Sequence, residues 1–185
     1  MSPQDQQPGR WALTGRRIAV AGAGVTAIAA AAVAARHGDA ETAQLSLTAS
    51  IRPAAAAGDP GLAERLVANL VDNAIRYNTP GGQVEIGTGT RAGRPYLTVT
   101  NTGPVIPPDQ LGRLFRPFQR MDPARRSPGG LGLGLAISSA IAAAHRADLR
   151  AVTRAAGGLA IEVLFPPPLA RPPASGERIL VPAGR

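Results

Sequence analysis

Between Asp59 and Asn78 the chain repeats apolar residues at Leu62, Leu66, Val67, Leu70, Val71 and Ala74, three and four apart, the spacing of an amphipathic helix with one apolar face. Asp59 is placed to cap it, and Pro60 suits the first helical position. A helix of this kind must bury its stripe against another layer. The downstream sequence supplies that layer. QVEIGTGTR and RPYLTVTN read as two strands around an Ala92-Gly93 turn, and DLRAVTR and LAIEVLFP as two more around Gly157-Gly158. AQLSLTASI (43–51) alternates like an earlier strand, DQLGRLF is a short helical piece, and LGLGLAISSAIAAAHR returns to a long apolar helix. This order predicts an α+β fold, a two-layer α/β sandwich with a mixed, mostly antiparallel sheet and its helices on one face. Residues 1–17 read as a flexible lead-in, 18–166 as the folded domain, and 167–185 as a disordered Pro/Arg-rich tail.

The apolar run 18–35, IAVAGAGVTAIAAAAVAA, has three readings. A helix over it spans about 27 Å, slightly short of a bilayer core of about 30 Å. As a membrane span it would place residues 36–185 outside the cell, given Arg10, Arg16 and Arg17 upstream. Gly22, Gly24 and Ala27 suggest a dinucleotide-binding turn, but Gln44 and Ser46 stand where an acidic residue is expected. The third reading, a packed Ala-rich helix, is the one adopted, so no stable membrane insertion is expected.

Composition limits the chemistry. The 185 residues contain no cysteine, which excludes a disulfide scaffold, a thiolate metal site and a Cys nucleophile. The net charge is +8, and all 20 basic residues are Arg, a sign of compositional bias in an Ala-, Gly- and Pro-rich chain. No stacking platform of aromatics accompanies the arginines, so nucleic acid is not an expected partner.

On the amphipathic helix Asn69, Asn73 and Arg76 lie four and three apart, on one strip beside the apolar stripe. A carboxamide oxygen is a hard donor suited to Mg²⁺, and Arg pairs with phosphate oxygens bidentately. Gly129, Gly130, Gly132 and Gly134 lead into a helix start, whose unpaired N–H groups and dipole hold anions. Together these residues suit a nucleotide triphosphate.

These motifs resemble the boxes of sensor histidine kinases. NLVDNAIRYN is similar to their asparagine box, NTGPVIP to the first glycine box, LFRPF to the phenylalanine box and GGLGLGLAI to the second glycine box. The similarity spans about 43–166 and implies the Bergerat-type (GHKL) ATP-binding fold shared with gyrase and chaperone ATPases. It implies that Asn73 binds Mg²⁺, that Asn69 and Arg76 face the phosphates, and that Tyr77 borders the nucleotide. It further implies nucleotide contacts from Asn101, Gly103, Val105, Gly130, Gly132, Leu133, Gly134 and Leu135, with Phe115 and Phe118 anchoring a lid over about 115–133. Two positions depart from the family pattern. Asn101 replaces an aspartate that reads adenine, which exchanges a charge-assisted hydrogen bond for a neutral one and costs on the order of 1 kcal/mol. Val105 replaces a glycine and requires an extended turn.

No phosphoacceptor histidine pattern occurs in residues 1–42. His37 is expected in a turn and His145 near a helix end, each structural or at the surface. The resemblance thus implies a cytoplasmic catalytic domain that presents Mg·ATP for phosphoryl transfer to a histidine in trans or beyond a truncated end. The implied partners are ATP and a histidine-containing dimerisation domain or response regulator. An inactive nucleotide-binding regulatory module is one alternative, and an anti-sigma-type protein-serine kinase another, against which LFRPF speaks.

Overall fold

In the computed structural model, residues 24–119 and 132–168 are described. The elements are α1 (Gly24–Thr42), β1 (Ser46–Ile51), α2 (Pro60–Arg76), β2 (Gln83–Arg91), β3 (Arg94–Asn101), a 3₁₀ helix (Pro108–Phe115), α3 (Gly134–Ala144), β4 (Asp148–Thr153) and β5 (Leu159–Leu164). The five strands form one sheet in the order β1-β2-β3-β5-β4. β1 runs parallel to β2 and every other pair is antiparallel, so the sheet is mixed as expected. The β2–β3 hairpin turns on Ala92 and Gly93 with φ of 48° and 74°, the left-handed pair that suits a tight two-residue turn.

The helices stack on one face, with α2 between α1 and α3. Asp59 Oδ1 accepts from Leu62 N at 2.9 Å, and Pro60 begins the helix without a missing bond. Leu66, Val67, Leu70, Val71 and Ala74 of α2 are buried against Val84 and Ile86 of β2, Leu97 and Val99 of β3, and Ile161 and Val163 of β5. In β3, Pro95, Leu97, Val99 and Asn101 alternate inward, so the strand ends with a polar residue on the core-facing side.

Three expectations need correction, and a reading already set aside is closed. The apolar face of α2 does not extend to Leu62, which is exposed; in the first turn Ala63 takes the buried place. The first strand begins at Ser46 and not at Ala43, because Gln44 adopts φ 55° and residues 43–45 turn the chain from helix to strand. α1 runs through His37, expected in a turn, where the ring faces Glu41 one turn on at 3.3 Å. The dinucleotide reading of Gly24 also fails: the first turn of α1 is covered by the segment after β1, with Val25 N donating to Ala54 O at 3.0 Å. Gly22, the lead-in 1–17, the first part of the 18–35 run and all but the first two residues of the 167–185 tail lie outside the described residues. Among the described residues no helix is long and apolar enough to cross a membrane.

Candidate functional site

The C-terminal half of α2, the turn after β3 and the start of α3 converge at one end of the sheet. Asn69 and Asn73 are half-buried on α2 and Arg76 is exposed at its last position. Asn69 Nδ2 is buried with no hydrogen-bond partner among the described residues. An unpaired buried donor costs about 1–3 kcal/mol, so an acceptor from outside the described chain is favoured here. Tyr77 closes α2, donating its N–H to Asn73 O at 3.1 Å, and leaves its side chain 39% exposed.

The end of α2 is joined to the post-β3 turn by a buried polar network. Asn78 Nδ2 donates to Ala74 O (3.3 Å) and Gln83 O (3.0 Å), while Oδ1 accepts from Thr79 N (2.9 Å) and from the Thr102 hydroxyl (2.7 Å). Thr102 Oγ1 in turn accepts from Gln83 N at 2.7 Å. Every donor and acceptor of the Asn78 side-chain amide is used, the condition under which a buried amide rigidifies its surroundings. Sequence reasoning assigned no role to Asn78 or Thr102. The available signal was residue type: Asn just past a helix end and Thr in a turn habitually bond nearby backbone.

Asn101 ends β3 in a buried position, and its Nδ2 donates to Thr102 O at 2.6 Å. That bond engages the amide nitrogen, while Oδ1 has no hydrogen-bond partner among the described residues. Gly103 follows, packed so closely that a Cβ there would lie 2.7 Å from Tyr77 O. Behind it the β4–β5 turn presses in, with Gly158 N donating to Pro104 O at 2.9 Å and a Cβ on Gly158 reaching 2.0 Å from Asn101 O. Val105 keeps a negative φ, as a residue with a branched side chain must, and stands 68% exposed at the tip of the turn.

The two phenylalanines separate. Phe115 packs against the core from the end of the 3₁₀ helix. Phe118 does not: it is 70% exposed, with φ 61°, and only its backbone is anchored, donating to Gly132 O at 3.2 Å. Gly132 has φ 70°, and a Cβ there would meet Gln119 O at 2.8 Å, so this contact requires glycine. Leu133 precedes α3 and offers no side-chain cap, which leaves the first N–H groups of the helix, at Gly134 and Leu135, open to an anion. The Leu135 side chain itself goes into the core, so any ligand contact from this residue is through its backbone. Gly130 lies outside the described residues.

Neither histidine belongs to the site. His145 is buried at the end of α3, its Nδ1 against Ile141 O (2.9 Å), its Nε2 near Asp59 O (3.3 Å) and its ring edge-on to Phe165. His37 is exposed on α1. Among the described residues there is no group of three or more His, Cys, Asp or Glu that could hold a metal.

A helix bearing two asparagines, tied at its end to a glycine turn and set on a mixed five-stranded sheet, defines the ATP-binding α/β sandwich as the class of this molecule. Residues 58–169 match the family described as histidine kinase-, DNA gyrase B-, and HSP90-like ATPase, and the chain belongs to that family. Sensor protein CutS of Streptomyces coelicolor is 41% identical over 132 residues, covering 70% of this chain and 32% of CutS. Sensor histidine kinase CusS of Escherichia coli O157:H7 is 40% identical over 111 residues, covering 60% of this chain and 23% of CusS. The chain therefore spans a third or less of the length of these curated relatives. Among solved structures, a mycobacterial sensor histidine kinase, MprB, is similar with a TM-score of 0.66 at 27% identity, over 76% of this chain and 93% of that one. Full-length ShkA, solved with AMPPNP, shares the fold, with a TM-score of 0.67 at 22% identity over 77% of this chain and 30% of that one.

Proposed function

We propose that this chain is the nucleotide-presenting part of a protein-histidine kinase, holding Mg·ATP in the cytoplasm for transfer of the γ-phosphoryl group to a histidine on a dimerisation domain, from which a response regulator is served. The observation that carries the reading is the buried Nδ2 of Asn69, without a partner among the described residues, one turn from Asn73 on a helix locked to the NTG turn. We further propose that the domain takes in α1 and β1, which precede the family match at residue 58 yet complete the sheet and helical layer.

Asn73 would hold Mg²⁺ through its carboxamide oxygen, and the ion when bound neutralises phosphate charge and sets the orientation of the γ-phosphoryl group. The remaining work falls to the chain. Asn69 donates its unpaired N–H to a phosphate oxygen, and Arg76 offers a bidentate fork to another. The open N–H groups at Gly134 and Leu135 add the positive end of α3. Asn101 Oδ1 accepts from the adenine amino group, Tyr77 borders the base, and Gly103 lets the turn approach α2 closely enough to shape that end of the cleft. Phosphoryl transfer asks mainly for positioning and charge neutralisation, which this arrangement supplies without a protein nucleophile.

The test is titration with a fluorescent ATP analogue, with and without Mg²⁺, on the parent chain, Asn73→Ala and Asn101→Ala. The parent binds with an increment from Mg²⁺; Asn73→Ala loses that increment and Asn101→Ala loses the preference for ATP over GTP. A parent chain indifferent to nucleotide refutes the reading. Incubation with a histidine-bearing dimerisation domain and γ-labelled ATP then separates a kinase domain, which labels the histidine, from a module that binds without transfer.

A further inference from the structure

Arg36 and Asp72 form a pair that the nucleotide site as described does not use. Arg36 lies in the second half of α1, and its guanidinium grips the Asp72 carboxylate on α2 at both oxygens, Nε to Oδ1 and Nη2 to Oδ2, the second at 3.3 Å. Asp39 approaches the same guanidinium at 3.8 Å. With Ile75 and Arg76 these residues line an open cleft of about 390 Å³ between the two helices. The hydrogen bond to Asp72, and then the charge of that carboxylate, raise the pKa of Arg36 above the ordinary value.

The position of Asp72 makes the pair consequential. It directly precedes Asn73, follows Asn69 by three residues and precedes Arg76 by four. An acidic residue four before a basic one on a helix is the favoured orientation for an intrahelical ion pair. Asp72 is thus the natural partner of Arg76, and it also sets a negative charge in the row of residues assigned to the phosphates. The observed structure chooses otherwise. Asp72 is taken by Arg36 from the neighbouring helix, and Arg76 has no ion pair among the described residues.

We propose that Arg36 is a positioning residue for the nucleotide site: by occupying Asp72 it keeps Arg76 unpaired for the phosphates and cancels the carboxylate beside Asn73. The inference rests on the nucleotide reading above and adds to it a residue from a helix outside the four sequence boxes. Arg36 acts through Asp72 and Arg76 and touches no ligand itself. A bidentate Arg–carboxylate pair suits this task, because it contacts both oxygens of Asp72 and offsets the carboxylate charge that would otherwise draw Arg76.

The test compares the parent chain, Arg36→Ala, and the double variant Arg36→Ala/Asp72→Asn, each titrated with a fluorescent ATP analogue and with unphosphorylated adenosine, alongside a melting curve. Arg36→Ala is expected to weaken ATP-analogue binding roughly three- to tenfold, the scale of one uncompensated charge near a partly exposed triphosphate. Adenosine affinity stays at the parent value, and the double variant recovers ATP-analogue affinity to within about twofold of the parent, since no carboxylate remains to capture Arg76. Equal losses for ATP analogue and adenosine would mean a packing role and overturn the proposal, as would failure of Asp72→Asn to rescue. A parent chain that binds no nucleotide overturns the functional reading instead, and the two failures are told apart by that control.

Discussion

Removal of one oxygen at Thr102 tests whether the Asn78 network sets the geometry of the site. Thr102→Val keeps the branched shape and deletes the hydroxyl that accepts from Gln83 N at 2.7 Å and donates to Asn78 Oδ1 at 2.7 Å. Two hydrogen bonds are lost. Asn78 Oδ1 retains Thr79 N, and Gln83 N lies near enough to the surface for water to compensate it in part. At about 0.5–1.5 kcal/mol net for each bond, discounted for that water, the expected loss is about 1–2 kcal/mol. For a domain of this size that is a fall in Tm of roughly 3–6 °C. Because the same bonds tie the end of α2 to the turn carrying Asn101 and Gly103, nucleotide affinity is expected to fall roughly threefold or more, in keeping with the cost of a loosened site. Thr102→Ser keeps the hydroxyl and should lie close to the parent in both readouts. Thermal melting with and without nucleotide, together with the fluorescent titration, reads both effects. A Thr102→Val protein that melts within about 1 °C of the parent and binds nucleotide equally well would refute the reasoning, since two lost bonds of ordinary strength must appear in one readout or the other.

Gly158→Ala places a Cβ 2.0 Å from Asn101 O at a φ of 95°, so the backbone of the turn must move; urea denaturation should show a loss of about 2–4 kcal/mol, the range of strained or overpacked sites, accompanied by loss of nucleotide binding. Asp59→Ala removes the side-chain acceptor for Leu62 N and should cost about 1 kcal/mol in denaturant unfolding with nucleotide affinity unchanged, because the cap lies at the far end of α2 from Asn73.

The elements were legible where periodicity and turn chemistry agreed. Leu66 through Ala74 at helical spacing, Asp59-Pro60 before them and Ala92-Gly93 between two alternating strands define α2 and the β2–β3 hairpin with little ambiguity. Ends were harder to read: His37-Gly38-Asp39 are residues typical of a turn, yet α1 continues through them to Thr42 and the chain turns only at Gln44. Phe118 shows the limit of motif reading, since the residue type suggests an anchor while the backbone at φ 61° turns the ring outward. The site's asparagines and glycines could be picked out by type and order. Their supports could not, because Asn78–Thr102 and Arg36–Asp72 join residues 24 and 36 positions apart, and nothing local in the sequence marks such pairs.

The place of β5 in the sheet bears on how the molecule is made. It is the last strand among the described residues, yet it lies between β3 and β4 and pairs with both. Before Leu159 to Leu164 leave the ribosome, β3 has an open edge and β4 has no neighbour, although the hairpin and α2 are already complete. The β3–β5 pairs close loops of more than fifty residues, from Asn101 with Leu159 to Tyr96 with Leu164. Long-range closures of this kind slow folding and expose unpaired strand edges while they are awaited. The Gly158 turn that seats against Asn101 directly precedes this strand, so the backing of the cleft cannot form before the chain is made to that point.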